Sequence, residues 1–165
     1  MVLTNTADVA ISMVNRDMAR QALYEVFQGM SPTARYMRYL SATPRLSPNM
    51  VSVLSDVDGS RHVAWQATRG GRAVGLVRLH EDQDGIPELA VEVVDHHSGC
   101  GIGKQLVSTA LWHAAERGTS SVRVLVHPEN TSAIRLFRGT GARFVFRAGL
   151  LEGTIPVTTS VTVAA

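Results

Sequence analysis

Cysteine is nearly absent from this chain: Cys100 is the only one in 165 residues. That excludes an internal disulfide framework and an all-cysteine metal site. Aromatic residues are scarce too, at 5%, too few and too scattered to form a platform on which bases stack. The net charge is only +2 and the basic residues are dispersed, so the electrostatic footprint of a nucleic-acid binder is missing. No apolar run approaches the roughly 18 residues that a membrane-crossing helix requires. Met1-Val2-Leu3-Thr4-Asn5-Thr6 lacks the basic flank of a signal peptide. These absences predict a cytoplasmic protein with neither nucleic acid nor membrane as partner. No repeat, low-complexity segment or interdomain linker interrupts the chain, and it reads as one domain over residues 1–165. With 45% hydrophobic content, a chain of this length buries roughly 70% of its unfolded surface, enough for a three-layer core.

What is present alternates between helical and extended patterns. Residues 8–14 predict a first strand, and Asp17 is a plausible N-cap for a helix with the stripe Leu23, Val26, Phe27 and Met30. Ser31-Pro32 restarts a helix, with proline where its missing N–H costs nothing. Pro44 and Pro48 break it, and Ser47-Pro48 opens a short helix through Leu54. Turns at Asp58-Gly59 and Gly70-Gly71 set off residues 63–67 and 73–79 as an antiparallel hairpin. Residues 82–85 turn into a strand over 88–94. A long helix follows, with Ile102, Leu106, Val107, Ala110, Leu111, Ala114 and Ala115 on one face and Gly118 as its stop. A strand over 121–126, a helix over 130–138, a strand over 142–147 and a final edge strand over 154–163 complete an α/β pattern.

The most telling stretch is Val91-Glu92-Val93-Val94-Asp95-His96-His97-Ser98-Gly99-Cys100-Gly101-Ile102-Gly103-Lys104. A β-branched strand ends in a loop with glycine at every second position, and a helix starts at once. Unpaired backbone N–H groups at the positive end of a helix dipole make a site for phosphate or pyrophosphate. Glycine there lets the anion reach the amides. A Walker A loop needs four residues between its glycines and Ser or Thr after the lysine. Gly99 and Gly103 have three between them, and Gln105 follows Lys104. A dinucleotide loop needs G-x-G-x-x-G and a later strand with an acidic end; this chain has G-x-G-x-G, and its next strand ends Val126-His127-Pro128.

The spacing resembles the acyl-CoA pyrophosphate loop of the GCN5-related N-acetyltransferases (GNAT family), Gln/Arg-x-x-Gly-x-Gly/Ala, with Ser98 in place of Gln or Arg. Residues 129–142, in which Asn130 opens a helix and Gly141 closes it, resemble the family's Asn…Leu-Tyr-x-x-x-Gly-Phe motif. Ser31-Pro32-Thr33-Ala34-Arg35-Tyr36-Met37-Arg38-Tyr39 is similar to a stretch in the acetyltransferase domains of bacterial protein-lysine acetyltransferases. The three matches fall in family order over roughly residues 10 to 148.

The resemblance implies the GNAT fold: a mixed central sheet of about six or seven strands flanked by about four helices. It implies acetyl-CoA as cosubstrate, a primary amine (protein lysine or small amine) as acceptor, direct attack in a ternary complex, and a monomer or homodimer. It places cofactor binding at Val91, Val93, Ser98, Gly99, Cys100, Gly101, Ile102, Gly103, Lys104, Asn130 and Phe137. The backbone of Val91 and Val93 would pair with pantetheine like another strand, and one of their amides would face the oxyanion. Asn130 either contacts pantetheine or caps its own helix. Arg35, Tyr36, Arg38 and Tyr39 are candidates to line the acceptor site.

An ammonium of pKa about 10.4 must lose a proton before it attacks. Glu88, at the strand start, is the candidate base, and Glu92, on the same sheet face, is the reserve; the bland alternative is that both carboxylates are merely solvated. Phe137 stands where many relatives carry a tyrosine that protonates the leaving thiolate. Cys100 replaces the usual Arg or Lys. His96 and His97 lie beside the loop and are candidates to touch the acceptor; a solvated loop or a cleft wall is expected for these two and for His113 and His127, and no metal is expected. Two further readings stay open: a non-catalytic acyl-CoA-binding or sensing module on the same fold, and an α/β domain whose loop holds another phosphate ligand.

Overall fold

Side-chain oxygens open four of the helices in the same way in the computed structural model, which describes residues 8–158. Asn15 Oδ1 accepts the Met18 N–H at 3.0 Å ahead of α1 (Arg16–Gln28). Ser31 Oγ accepts from Ala34 at 3.1 Å ahead of α2 (Pro32–Tyr39), and Ser47 Oγ from Met50 at 3.2 Å ahead of α3 (Pro48–Leu54). The long helix α4 (Ile102–Glu116) starts at Gly101 with no side-chain cap. Asn130 Oδ1 caps α5 (Thr131–Arg138) through the Ala133 N–H at 3.1 Å. The first cap corrects the expectation for Asp17. That residue lies inside the first turn of α1, where its charge complements the helix dipole without closing the ladder.

Seven strands form one mixed sheet: β1 (Ala10–Met13), β2 (His62–Arg69), β3 (Arg72–Glu81), β4 (Pro87–Val93), β5 (Ser121–Val126), β6 (Arg143–Arg147) and β7 (Leu150–Pro156), in the order β1-β2-β3-β4-β5-β7-β6. With five helices among the described residues, this is the expected GNAT architecture. The final strand differs from its expected place. It starts at Leu150 rather than 154, and it is not an edge: β7 lies between β5 and β6, and β6 forms the margin. Ala148 (φ 50°) and Gly149 (φ 82°) make a two-residue hairpin turn with both residues left-handed. Alanine at such a position carries none of the usual turn signal. The remainder of the expected strand, 159–163, lies outside the described residues.

The expected stripes are buried: Leu23, Val26, Phe27 and Met30 on α1 and just after it, and Ile102, Leu106, Val107, Ala110 and Ala114 on α4. The sheet separates two layers. Gly75, opposite Val93 in the register, faces α4, since an added Cβ would stand 2.8 Å from Leu106 Cδ1. On the other side Glu25 Oε2 accepts the Ala73 N–H at 2.6 Å and ties α1 to β3.

Candidate active site

β4 and β5 are the one parallel pair among the described residues, and they meet at Glu88 and Arg123. From there β5 continues with β7 as far as Val126, while β4 continues with β3 alone, Val91 opposite Val77 and Val93 opposite Gly75. The two strands therefore part toward their C-terminal ends. The β5-side edge of Val91 and Val93 has no strand partner among the described residues. A cavity of about 620 Å³ fills the gap, walled by α2, the end of β4, the glycine loop and the start of α5.

The loop closing one end has the geometry of an anion cradle. Gly99 (φ +77°) and Gly101 (φ +84°) take left-handed backbone that other residues rarely adopt, and Gly101 leads into α4 with no side chain competing for the first amides. Ser98, Gly99, Gly101, Gly103 and Lys104 line the cavity, as do Val91, Val93 and Asn130. Asn130 is also the cap of α5, so its two expected roles are compatible. Gly103 lies between β4 and α5, with an added Cβ reaching Leu136 Cδ2 at 3.4 Å and Val93 Cγ2 at 3.7 Å.

Three residues expected at the cofactor keep their side chains off the cavity wall. Ile102 and Phe137 are buried in the core; each falls on the inward stripe of its helix, and burial there outcompetes a place on the wall. Cys100 is half-buried, with Sγ turned to the Ser98 carbonyl at 3.8 Å. None of the three is part of the cavity wall.

The two carboxylates of β4 share a face but not an environment. Glu92 is 4% exposed. Its Oε2 accepts from Arg38 Nε and its Oε1 from Arg78 Nη2, both at 2.7 Å. Burial alone would raise this carboxyl, but Arg38 and Arg78 outweigh it and hold it below the ordinary carboxylate value. Arg78 is 3% exposed. It finds room because its cross-strand neighbours are Ala64 and Ala90. Burial works against the Arg38 charge too, and Glu92 first, then Tyr39 and Glu88, restores and raises it. Arg78 Nη1 and Tyr39 Oη are buried without a hydrogen-bond partner beside this cluster. Burial and the Glu92 charge push the Tyr39 phenol well above its ordinary value.

Glu88 is exposed at the root of the splay and makes no ion pair among the described residues. Its cross-strand neighbour Arg123 is occupied by Asp84 Oδ2 at 2.7 Å and the Ile86 carbonyl.

Of the four residues expected around the acceptor, Arg35 is structural: Nε and Nη2 donate to the Phe27 carbonyl and Nη1 to that of Pro44. Tyr36 is exposed, its ring 5.4 Å from that of His127. Arg38 lines the cavity, and Tyr39 packs on Phe27. Among the histidines, His97 lines the cavity with Nδ1 unpartnered; burial, Arg69 and His96 lower its pKa. His113 corrects the expectation of a solvated residue. Its ring stands 5.0 Å from that of Trp65, with Nε2 buried. No cluster of three His, Cys, Asp or Glu suited to a metal occurs among the described residues.

The sequence reading missed Arg78, Arg135, Met30, Thr33 and Met37. All but Arg78 line the cavity. An available signal was the pattern Leu76-Arg78-His80 on β3. Its charges fall on the face opposite Val77 and Leu79, one diagonal step from Glu92.

A family model, the acetyltransferase (GNAT) family, matches residues 20–142. The GNAT domain of S. lividans PAT is similar over 90% of each chain, with 25% identity and a TM-score of 0.81. A putative acetyltransferase, yncA, from Salmonella typhimurium, solved with its cofactor acetyl-CoA, shares the fold at 14% identity and a TM-score of 0.72, covering 93% of this chain and 96% of its own. The ribosomal-protein-S18-alanine N-acetyltransferase from Escherichia coli does so at 16% and 0.69, over 95% and 99%. With that model covering most of the chain and the splayed strands and glycine loop in place, this protein belongs to the GNAT acetyltransferase family.

Proposed function

We propose that the protein is an acetyl-CoA-dependent N-acetyltransferase acting in the cytoplasm on a primary amine, with a protein lysine as the first acceptor to test. One observation carries the reading. A single unpaired strand edge, Val91 to Val93, runs from an uncapped glycine loop to the neighbourhood of a carboxylate that has no ion-pair partner. Pyrophosphate would rest on the amides from Gly99 to Lys104, with Lys104 and Arg135 supplying positive charge. Pantetheine would pair with Val91 and Val93, and an amide of that edge would face the oxyanion. The amine nitrogen attacks the thioester carbonyl and its proton passes to Glu88, directly or through water. The C–N bond forms, the C–S bond breaks, and CoA leaves as thiolate. Phe137 has no proton to give, so the thiolate takes its proton from water. Lysine is favoured as acceptor by the resemblance of residues 31–39 to bacterial lysine acetyltransferases.

Calorimetry with acetyl-CoA, CoA and ATP, followed by an assay of CoA release with lysine peptides and small amines, tests this reading. Micromolar acetyl-CoA binding, none for ATP, and amine-dependent CoA release are expected. The buried Phe137 and the withdrawn Cys100 favour a second reading, a non-catalytic acyl-CoA-binding module. Binding without CoA release from any amine would establish it. Absence of acetyl-CoA binding would overturn both.

A further inference from the structure

In the half of the sheet formed by β5, β7 and β6, one face is buried along β5 and β7, although Phe146 at the β6 margin of that face is 64% exposed. Val122, Val124, Val126 and Ile155 point into the core, whereas on the opposite face Leu125 is 41% and Val145 58% exposed. The register lines up polar residues across this open face: His80 with Glu88, Glu88 with Arg123, Arg123 with Thr154, and Thr154 with Arg143. A parallel row runs Leu125, Glu152, Val145. Pairing removes most of the charges. Arg123 is held by Asp84, and Arg147 stands 3.4 Å from Glu152. What remains without an ion pair among the described residues is Glu88 at one end and Arg143 at the other. Tyr36 packs on His127, which follows the end of β5.

We infer that this face docks the acceptor as an extended peptide segment carrying an acidic residue four positions from the target lysine. The inference rests on the N-acetyltransferase reading and names its substrate class. Three strand spacings of about 4.8 Å separate Glu88 from Arg143, roughly 14 Å in all, and an extended chain covers that in about four residues at 3.4 Å each. Side chains two and four apart on such a segment point the same way. The lysine therefore meets Glu88, the residue two positions on lies over Arg123 and Thr154 with the row of Leu125 and Val145 alongside, and the acid reaches Arg143. A basic flank would meet an unpaired guanidinium instead.

Three peptides that differ only in the residue four positions from the lysine (acidic, neutral or basic) test this by CoA release. KM is expected to be about threefold to fivefold lower for the acidic than for the neutral peptide, the scale of an exposed ion pair, and higher again for the basic one. The spread should shrink in high salt. Arg143→Glu should invert the order, and Val145→Ser should raise KM for all three peptides with little change in kcat. Equal KM for the three peptides, with CoA release measurable, overturns the docking inference and leaves the enzyme reading intact. No CoA release from peptides or small amines sinks the enzyme reading itself. If Val145→Arg turns a dimer into a monomer while peptide KM stays unchanged, the face belongs to a second copy of the chain, and the inference is overturned.

Discussion

Arg38 Nε and Glu92 Oε2 lie 2.7 Å apart and fasten the second helix to the fourth strand at the wall of the cavity. Arg78 holds the other oxygen of the same carboxylate. A carboxylate between two guanidinium groups accepts hydrogen bonds and resists protonation, so it is a poor proton acceptor from an amine. The two carboxylates of β4 therefore differ in what holds them. Glu92 ties α2 to the strand, and Glu88, four residues earlier on the same face, makes no ion pair among the described residues.

Glu92→Gln should destabilise the fold by about 3–5 kcal/mol at neutral pH, because it leaves two guanidinium groups without their counter-charge. The pH dependence has a definite sign. The Glu92 carboxyl is depressed in the folded state relative to its ordinary 4.5. Its contribution is complete above that value and is lost as pH falls through the folded-state pKa. Urea midpoints at pH 7 and pH 3 should converge for the wild type and the variant as the solution is acidified. A constant gap between them would show that the pair contributes nothing through its charge.

Glu88→Gln should lower kcat by about 10²–10⁴-fold, the range of a lost general base. Glu88 is exposed and outside the donor cavity wall, so acetyl-CoA affinity and the urea midpoint should stay as they were. Calorimetry beside the CoA-release assay separates the two effects. Turnover unchanged in this variant would remove Glu88 from the mechanism.

Most of the architecture was legible because it was local. Ser31-Pro32, Ser47-Pro48 and Asn130 opened their helices as read, and the stripe from Leu23 to Met30 was buried as its spacing required. The loop from Ser98 to Lys104 was recognisable because left-handed backbone at Gly99 and Gly101 calls for glycine at fixed places. What escaped depended on partners distant in sequence. Glu92 reads as a half-exposed strand residue until Arg38, 54 positions away, closes over it. Phe137 occupies the tyrosine position of the family motif, yet packing turns its ring into the core. The place of β7 depended on Ala148 adopting a conformation that its side chain disfavours.

Phe137→Tyr tests whether the missing acid can be restored by chemistry alone. Phe137 is buried and does not line the cavity, so a hydroxyl added there enters the core. An unpaired hydroxyl in such a place costs roughly 1–3 kcal/mol. The expected result is a lower urea midpoint with no gain in kcat. A tenfold rise in kcat would show that the tyrosine reaches the thiolate after all.

Gly29 shows how the helical layer sets the geometry of the glycine loop. Its φ of −84° is open to any residue, so no conformational need for glycine exists there. The constraint is space: an added Cβ would stand 2.5 Å from Val94 Cγ1 and 2.7 Å from Val94 Cβ. The Gly29 carbonyl also accepts the Asp95 N–H at 3.0 Å, and Val94 and Asp95 lead directly into the glycine loop. Gly29→Ala must therefore push the start of that loop away from α1. A cost of about 1–3 kcal/mol is expected from overpacking, together with weaker acetyl-CoA binding. Val94→Ala removes the atom nearest the intruding methyl, so the double variant should recover part of both losses. The coupling between the two positions, read from urea midpoints and acetyl-CoA affinities, should accordingly be favourable. Strictly additive losses would mean that the clash relaxes elsewhere and that the loop is not positioned through this contact.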